Sequence, residues 1–202
     1  NQAVFDREGV EIIGVILNKV LPEKIEFISE FARRGLKRKG LELLGVVPYC
    51  GILTRPTMDF IREELKADCL NPETQSQNLV DSVVVGAMSV ENAIRLFKHG
   101  VLVITPGDRV DILMAAATSV TNPSQQLAGV IVTGDFTHQT AVTKIIEKLP
   151  FPVLRADEEI YEVASAVHNL IVKTRAADTE KISLIRDIIA THVAVDKILS
   201  AL

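Results

Sequence analysis

Two short stretches carry the residue types and spacing that could do chemistry in this chain of 202 residues. The first is Thr105-Pro106-Gly107-Asp108-Arg109, which closes the apolar run from Val101. The second is Thr133-Gly134-Asp135, which closes the run from Gly129. Each follows β-branched residues and precedes a segment of helical period, the pattern of a buried parallel strand opening into a turn and a helix. If two such ends lie side by side, Gly107, Asp108, Arg109, Thr133, Gly134 and Asp135 share one carboxyl edge of a sheet. Open α/β sheets place ligands at that edge.

The residue types limit what such an edge would hold. A phosphate reader needs a glycine turn that offers N–H groups at a helix N-terminus. No G-x-x-x-x-G-K-[ST] loop occurs in the chain, so a cradle for ATP phosphates is missing. The PGD and TGD turns are the nearest substitutes, and Asp108, Asp111 and Asp135 beside Arg109 oppose a bare anion. A ribose hydroxyl, an amine or a metal-bound nucleotide suits them better. A purely structural role competes: Asp108 caps a helix, Gly107 and Gly134 make turns, and Arg109 pairs with a nearby carboxylate. Both readings stay open.

Other chemistry is not visible. His99, His138, His168 and His192 lack metal-ligand spacing, and only His138 lies near the proposed edge. No Ser-His-Asp order, nucleophile elbow or carboxylate pair stands out. Catalytic residues, metal ligands and a cofactor are therefore left unassigned. Cys50 and Cys69 form no scaffold, which points to a reducing cytoplasm. With 4% aromatics and no Trp, a net charge of −4 and one basic cluster (Arg33, Arg34, Lys37, Arg38, Lys39), a nucleic-acid partner is not expected. That cluster complements the dipole at a helix end. No apolar run approaches the ~20 residues of a membrane span. The chain starts at Asn1, and it reads as a fragment.

The elements that must position these turns follow from periodicity. Glu11–Val20 reads as a buried strand. Pro22 opens a helix with Ile25, Ile28, Phe31, Ala32 and Leu36 on one stripe, closed by Gly40 at C′. Leu41–Val47 is a second strand, and Thr57–Ala67 a short helix. Ala67–Asn78, rich in Pro, Asn, Ser and Gln, reads as a linker. Strands then recur at Asp81–Gly86, Val101–Thr105, Gly129–Thr133 and Pro152–Arg155, each followed by a helix. Ser89, Asp108 and Thr137 are placed as caps and Asp157 precedes the fourth helix. A last helix spans Asp178–His192. The fold class is α/β: three layers, mostly parallel sheets with helices on both faces, in two small domains of residues 1–78 and 79–202.

Two resemblances attach to these residues. From Asp81 to about Leu199 the chain resembles the DRTGG domain family, through Asp108-Arg109 after Thr-Pro-Gly and through Thr133-Gly134-Asp135. Asp135 departs from the pattern, which usually has a second Gly there. The first domain resembles the carboxyl-terminal part of the dethiobiotin synthetase-like P-loop family, through GVILNKV (Gly14 to Val20), LLGVVPY (Leu43 to Tyr49) and RPTMDFIREEL (Arg55 to Leu65). That resemblance places Asn18, at the strand end, near a nucleotide base. In this order the two domains resemble the amino-terminal regulatory region of long phosphotransacetylases. The resemblance implies a non-catalytic regulatory and ligand-sensing region that forms homodimers and takes a nucleotide or small metabolite. The alternative is a truncated ATP-dependent synthetase, of the dethiobiotin or cobyrinic acid a,c-diamide type, whose P-loop lies upstream.

Overall fold

A computed structural model describes residues 2–71, 77–134 and 140–201. The chain opens with helix α1 (Gln2–Arg7), strand β1 (Val15–Val20), helix α2 (Ile25–Lys37) and strand β2 (Leu43–Pro48). Then come α3 (Met58–Leu65), β3 (Asp68–Cys69), β4 (Ser82–Val85), α4 (Val90–Leu96), β5 (Val101–Pro106) and α5 (Val110–Thr118). The rest is β6 (Gly129–Thr133), α6 (Thr140–Ile146), β7 (Val153–Ala156), α7 (Ile160–His168), α8 (Thr179–His192) and α9 (Val195–Ser200). These form two compact units, residues 1–54 with 174–202, and residues 55–173.

The second unit is a five-stranded sheet in the order β3-β7-β6-β5-β4. The pairs β4–β5, β5–β6 and β6–β7 are parallel, and β3 runs antiparallel on β7. Strands that advance one place at a time across a sheet put their crossover helices on one face. Residues of α4, α5 and α6 accordingly share a core with Val103, Val132 and Val153. Residues of α3 and α7 share another with Leu102, Ile131 and Leu154. Every residue of Val101–Thr105 and of β6 is buried, as continuous β-branched runs require between two helical layers. The expected three-layer α/β architecture is present in this unit.

The segment 67–78 does not behave as a linker where it is described. β3 pairs with β7, and Asn71 is buried against the turn before that strand. Its amide donates to the carbonyls of Ile146 (3.1 Å), Leu149 (3.4 Å) and Phe151 (3.0 Å). Its Oδ1 accepts from the Val153 N–H at 2.8 Å. Polar composition signalled a loop, but one side chain with two donors and an acceptor stitches it into the sheet. Residues 72–76 of that stretch lie outside the described residues.

The first unit holds the two-stranded parallel sheet β1–β2 with α2 against β2. Gly40 closes α2 as expected: it sits at φ +70°, with Gly40 N–H to Lys37 C=O and Leu41 N–H to Leu36 C=O. The expectation of a buried first strand is corrected, since only Val20 of β1 is buried. With one partner strand, most of β1 keeps solvent access. The last helix also departs from its expected place in the second domain. α8 packs on β2, and Ala194 N–H bonds to Leu44 C=O at 2.8 Å. Gly45 permits this approach, because a Cβ there would stand 2.6 Å from the His192 carbonyl oxygen. The contact division therefore differs from a boundary at residue 78. Residues 55–71 join the five-stranded unit, while 174–201 return to the first.

Candidate functional site

β5 and β6 end together, with Pro106 in register with Thr133, so the two turns meet at the carboxyl edge of the sheet. Gly107, Asp108, Arg109, Thr133 and Gly134 are brought to that edge. Asp135 lies outside the described residues, as do Thr137 and His138. Asn18 belongs to the other unit. Its Oδ1 accepts the Lys19 N–H at 2.8 Å, and Lys19 sits at φ +60° where the β1–β2 register shifts between Leu17 and Val20, so this side chain belongs to an irregularity within β1.

Three backbone donors at the edge are spent on the protein itself. Gly107 N–H bonds to Thr133 C=O (2.8 Å), and Arg109 N–H bonds to Pro106 C=O (3.1 Å). Gly134 N–H is shared between the carbonyls of Ala156 (3.1 Å) and Glu158 (3.2 Å). A phosphate nest needs such groups free and convergent. Among the described residues these three donors are therefore not turned toward a phosphate, in line with the acidic residues beside them.

Asp108 does not cap α5. Arg109 occupies the N-cap position, with no side-chain capping bond, and the Asp108 carbonyl accepts from Val110 at 3.0 Å. Asp108 is one residue too early, so its exposed carboxylate faces solvent beside Arg109. α7 is capped by Glu159 in a capping box with Glu162, and Asp157, which precedes the helix as expected, pairs with Arg155 at 3.2 Å. Ser89 does hold the N-cap of α4, without a side-chain bond.

Arg109 acts as a clamp. Its Nε donates to Asp111 Oδ1 (2.8 Å) and its Nη2 to Asp111 Oδ2 (2.9 Å), a bidentate fork. Nη2 also donates to the Met88 carbonyl at 2.9 Å. Thr105 Oγ1 makes a second tie, donating to Gly86 C=O at 3.3 Å. Together they fasten the turn after β4 to the end of β5 and the start of α5. The bond to Asp111 holds the guanidinium above its ordinary value against the opposing cost of burial. The same bond holds the Asp111 carboxyl below its own. The expected carboxylate partner of Arg109 is thus Asp111, two residues on. Sequence reasoning missed Met88 and Gly86, which act through backbone carbonyls that no side-chain pattern reveals.

Among the described residues the edge therefore presents the exposed Asp108 carboxylate, with the half-exposed Asp111 carboxylate held beside it by Arg109. Among the described residues no group of three or more His, Cys, Asp or Glu gathers to hold a metal. No helix among them is long and apolar enough to cross a membrane.

Comparison with known proteins follows the same geography. The chain is 30% identical over 192 residues to the phosphate acetyltransferase of Pseudomonas putida, covering 91% of this chain and 27% of that protein. It is 32% identical to that of Synechocystis sp. (88% and 26%) and 32% identical to that of Deinococcus radiodurans (92% and 27%). The chain thus spans about a quarter of the length of these relatives. One solved structure aligns at TM-score 0.46 and 17% identity, covering 84% of this chain and 80% of the other. It contains the CBS and DRTGG domains of the regulatory region of Clostridium perfringens pyrophosphatase, complexed with its activator diadenosine tetraphosphate. The model of the DRTGG domain matches residues 61–170, within the five-stranded unit and across both edge turns, and on that match the chain belongs to the DRTGG domain family.

Proposed function

We propose that this chain is a non-catalytic regulatory and ligand-sensing region of a phosphate acetyltransferase-like protein, and that it pairs two copies of its parent. The observation that carries this reading is an alignment spanning both compact units, 91% of the chain, with about a quarter of an acetyltransferase. The alternative of a truncated ATP-dependent synthetase is not adopted, because the relatives that align with both units are phosphate acetyltransferases. The β1-α2-β2 unit keeps its likeness to the end of a P-loop-type domain, and no phosphate loop accompanies it in these residues.

For the ligand we infer a small metabolite or nucleotide that presents hydroxyl or amine donors to Asp108 and Asp111. The spent N–H groups at Gly107, Arg109 and Gly134 support this over a bare phosphate. A thermal-shift screen tests it, using nucleotides including diadenosine tetraphosphate, NADH, acetyl-CoA and pyruvate. A ligand that binds the native state raises the melting temperature by mass action. Asp108→Ala removes an exposed carboxylate, so it should leave the free protein's melting temperature unchanged and abolish the shift. A shift preserved in that variant places the ligand elsewhere. The absence of any shift across the panel refutes sensing of these compounds.

A further inference from the structure

A cavity of about 780 Å³ opens in the first unit, between α1, the start of β1 and the junction of α2 with β2. Two helix ends build its walls. Gly9 closes α1 at φ +66°, with Gly9 N–H to Asp6 C=O and Val10 N–H to Phe5 C=O. Gly40 closes α2 in the same way, and Leu41 N–H bonds to Leu36 C=O. Such a closure sets the residue after the glycine beside the one five positions before it. Phe5 with Val10 and Leu36 with Leu41 are thus two apolar pairs, and all four line the cavity. The run into β1 adds Ile13 and Ile16. Phe5, Val10, Ile13 and Ile16 are between 40% and 52% exposed. A concavity lined by that many open apolar groups, with a volume inside ~300–1,000 Å³, has the build of a small-molecule site.

Two charged residues line it, Lys39 and Glu11. Lys39 belongs to the basic end of α2, where Arg34 pairs with Glu30. Among the described residues Arg33, Lys37, Arg38 and Lys39 have no ion pair. Arg33 stands three residues before Leu36, on the same side of the helix. The dipole at a helix C-terminus amounts to about half an elementary charge, which one lysine offsets. Of the acidic groups close in sequence, Glu8 pairs with Arg7 and Glu42 with Lys197, which leaves Asp6 and Glu11. Four cations outweigh these two carboxylates and the dipole together. This end of the cavity is positive.

We infer that this cavity binds a soluble anionic amphiphile, a medium-length fatty carboxylate, with its chain among the apolar pairs and its head beside Lys39. An apolar wall alone would take any hydrophobic body. The positive end selects one with a negative head, because complementary charge decides between bodies of equal apolar area. The site belongs to the first unit, so its test leaves the reading of the Asp108 edge untouched.

Isothermal titration of the whole chain with monomeric hexanoate, octanoate and decanoate tests this. Affinity should rise in that order, by up to about 4-fold for each added methylene. Decanol, with the same chain and no charge, should bind about 2–5-fold more weakly than decanoate, as the loss of an exposed ion pair predicts. Lys39→Gln should remove that difference, and Ile13→Asp should abolish binding of both. Lys148→Gln, in the other unit, should change neither. Residues 13, 39 and 148 are exposed, so these variants should keep the native circular dichroism. The chain-length and head-group series uses the unaltered protein and stands without them. No binding of decanoate, or equal affinity for decanoate and decanol, overturns the site. Co-flotation with phosphatidylglycerol vesicles in the absence of decanoate binding also overturns it, and gives the face to a lipid surface.

Discussion

Asn71 offers the sharpest check on how the five-stranded unit is held together. Replacing it with Ala removes the acceptor of the buried Val153 N–H and the donor to three carbonyls. An N–H left unpaired in a buried site costs about 1–3 kcal/mol, and the lost bonds to the carbonyls add about 1 kcal/mol more. Asn71→Ala should therefore cost about 3 kcal/mol. For a chain of this size that is a melting-temperature drop of about 6–12 °C. Asn71→Asp should cost at least as much, because it turns a carboxylate oxygen toward the carbonyls of Ile146, Leu149 and Phe151. Urea denaturation followed by circular dichroism measures the global loss. Amide exchange at Val153 gives the local readout, and its protection should fall in step. A loss below ~1 kcal/mol with Val153 protection intact would refute the stitch and restore a linker between residues 67 and 71.

Three further outcomes are expected. Gly134→Ala adds a Cβ that meets nothing among the described residues, at φ +69°, so its cost is conformational, about 1–2 kcal/mol by chemical denaturation. A neutral result would show that the turn relaxes. Gly129→Ala places a Cβ 2.4 Å from Met58 Cε and 2.9 Å from the Pro152 carbonyl oxygen, so overpacking should cost about 1–3 kcal/mol, with partial recovery in a Met58→Ala background. The Asp111 carboxyl is held below its ordinary 3.8 chiefly by the Arg109 hydrogen bond. Its stabilising contribution is therefore complete above that value and fades as pH falls through the lower folded one. Asp111→Asn should lose this acid limb and differ from the parent only modestly at neutral pH, because the pair is solvent-screened. Parallel pH–stability curves for the two proteins would argue against the clamp.

The alternation of β-branched runs with helical periods determined the α/β class and the positions of β5 and β6, while the meeting of the Thr105–Arg109 and Thr133–Gly134 turns followed only once the strand order set β5 beside β6. The class and the strand positions are local patterns, because burial on both faces of a parallel sheet calls for continuous apolar runs. The closure of α2 at Gly40 was legible for the same reason, since a Schellman turn is built from consecutive residues. Tertiary structure alone decided where donors and acceptors across distant segments would pair. Arg109 reaches the Met88 carbonyl 21 residues away, and Asn71 reaches Ile146 at a separation of 75. It also decided that α8 returns to β2 at Gly45, a contact set by the absence of one Cβ. Periodicity records which side of an element is apolar, but it does not name the surface that side will meet.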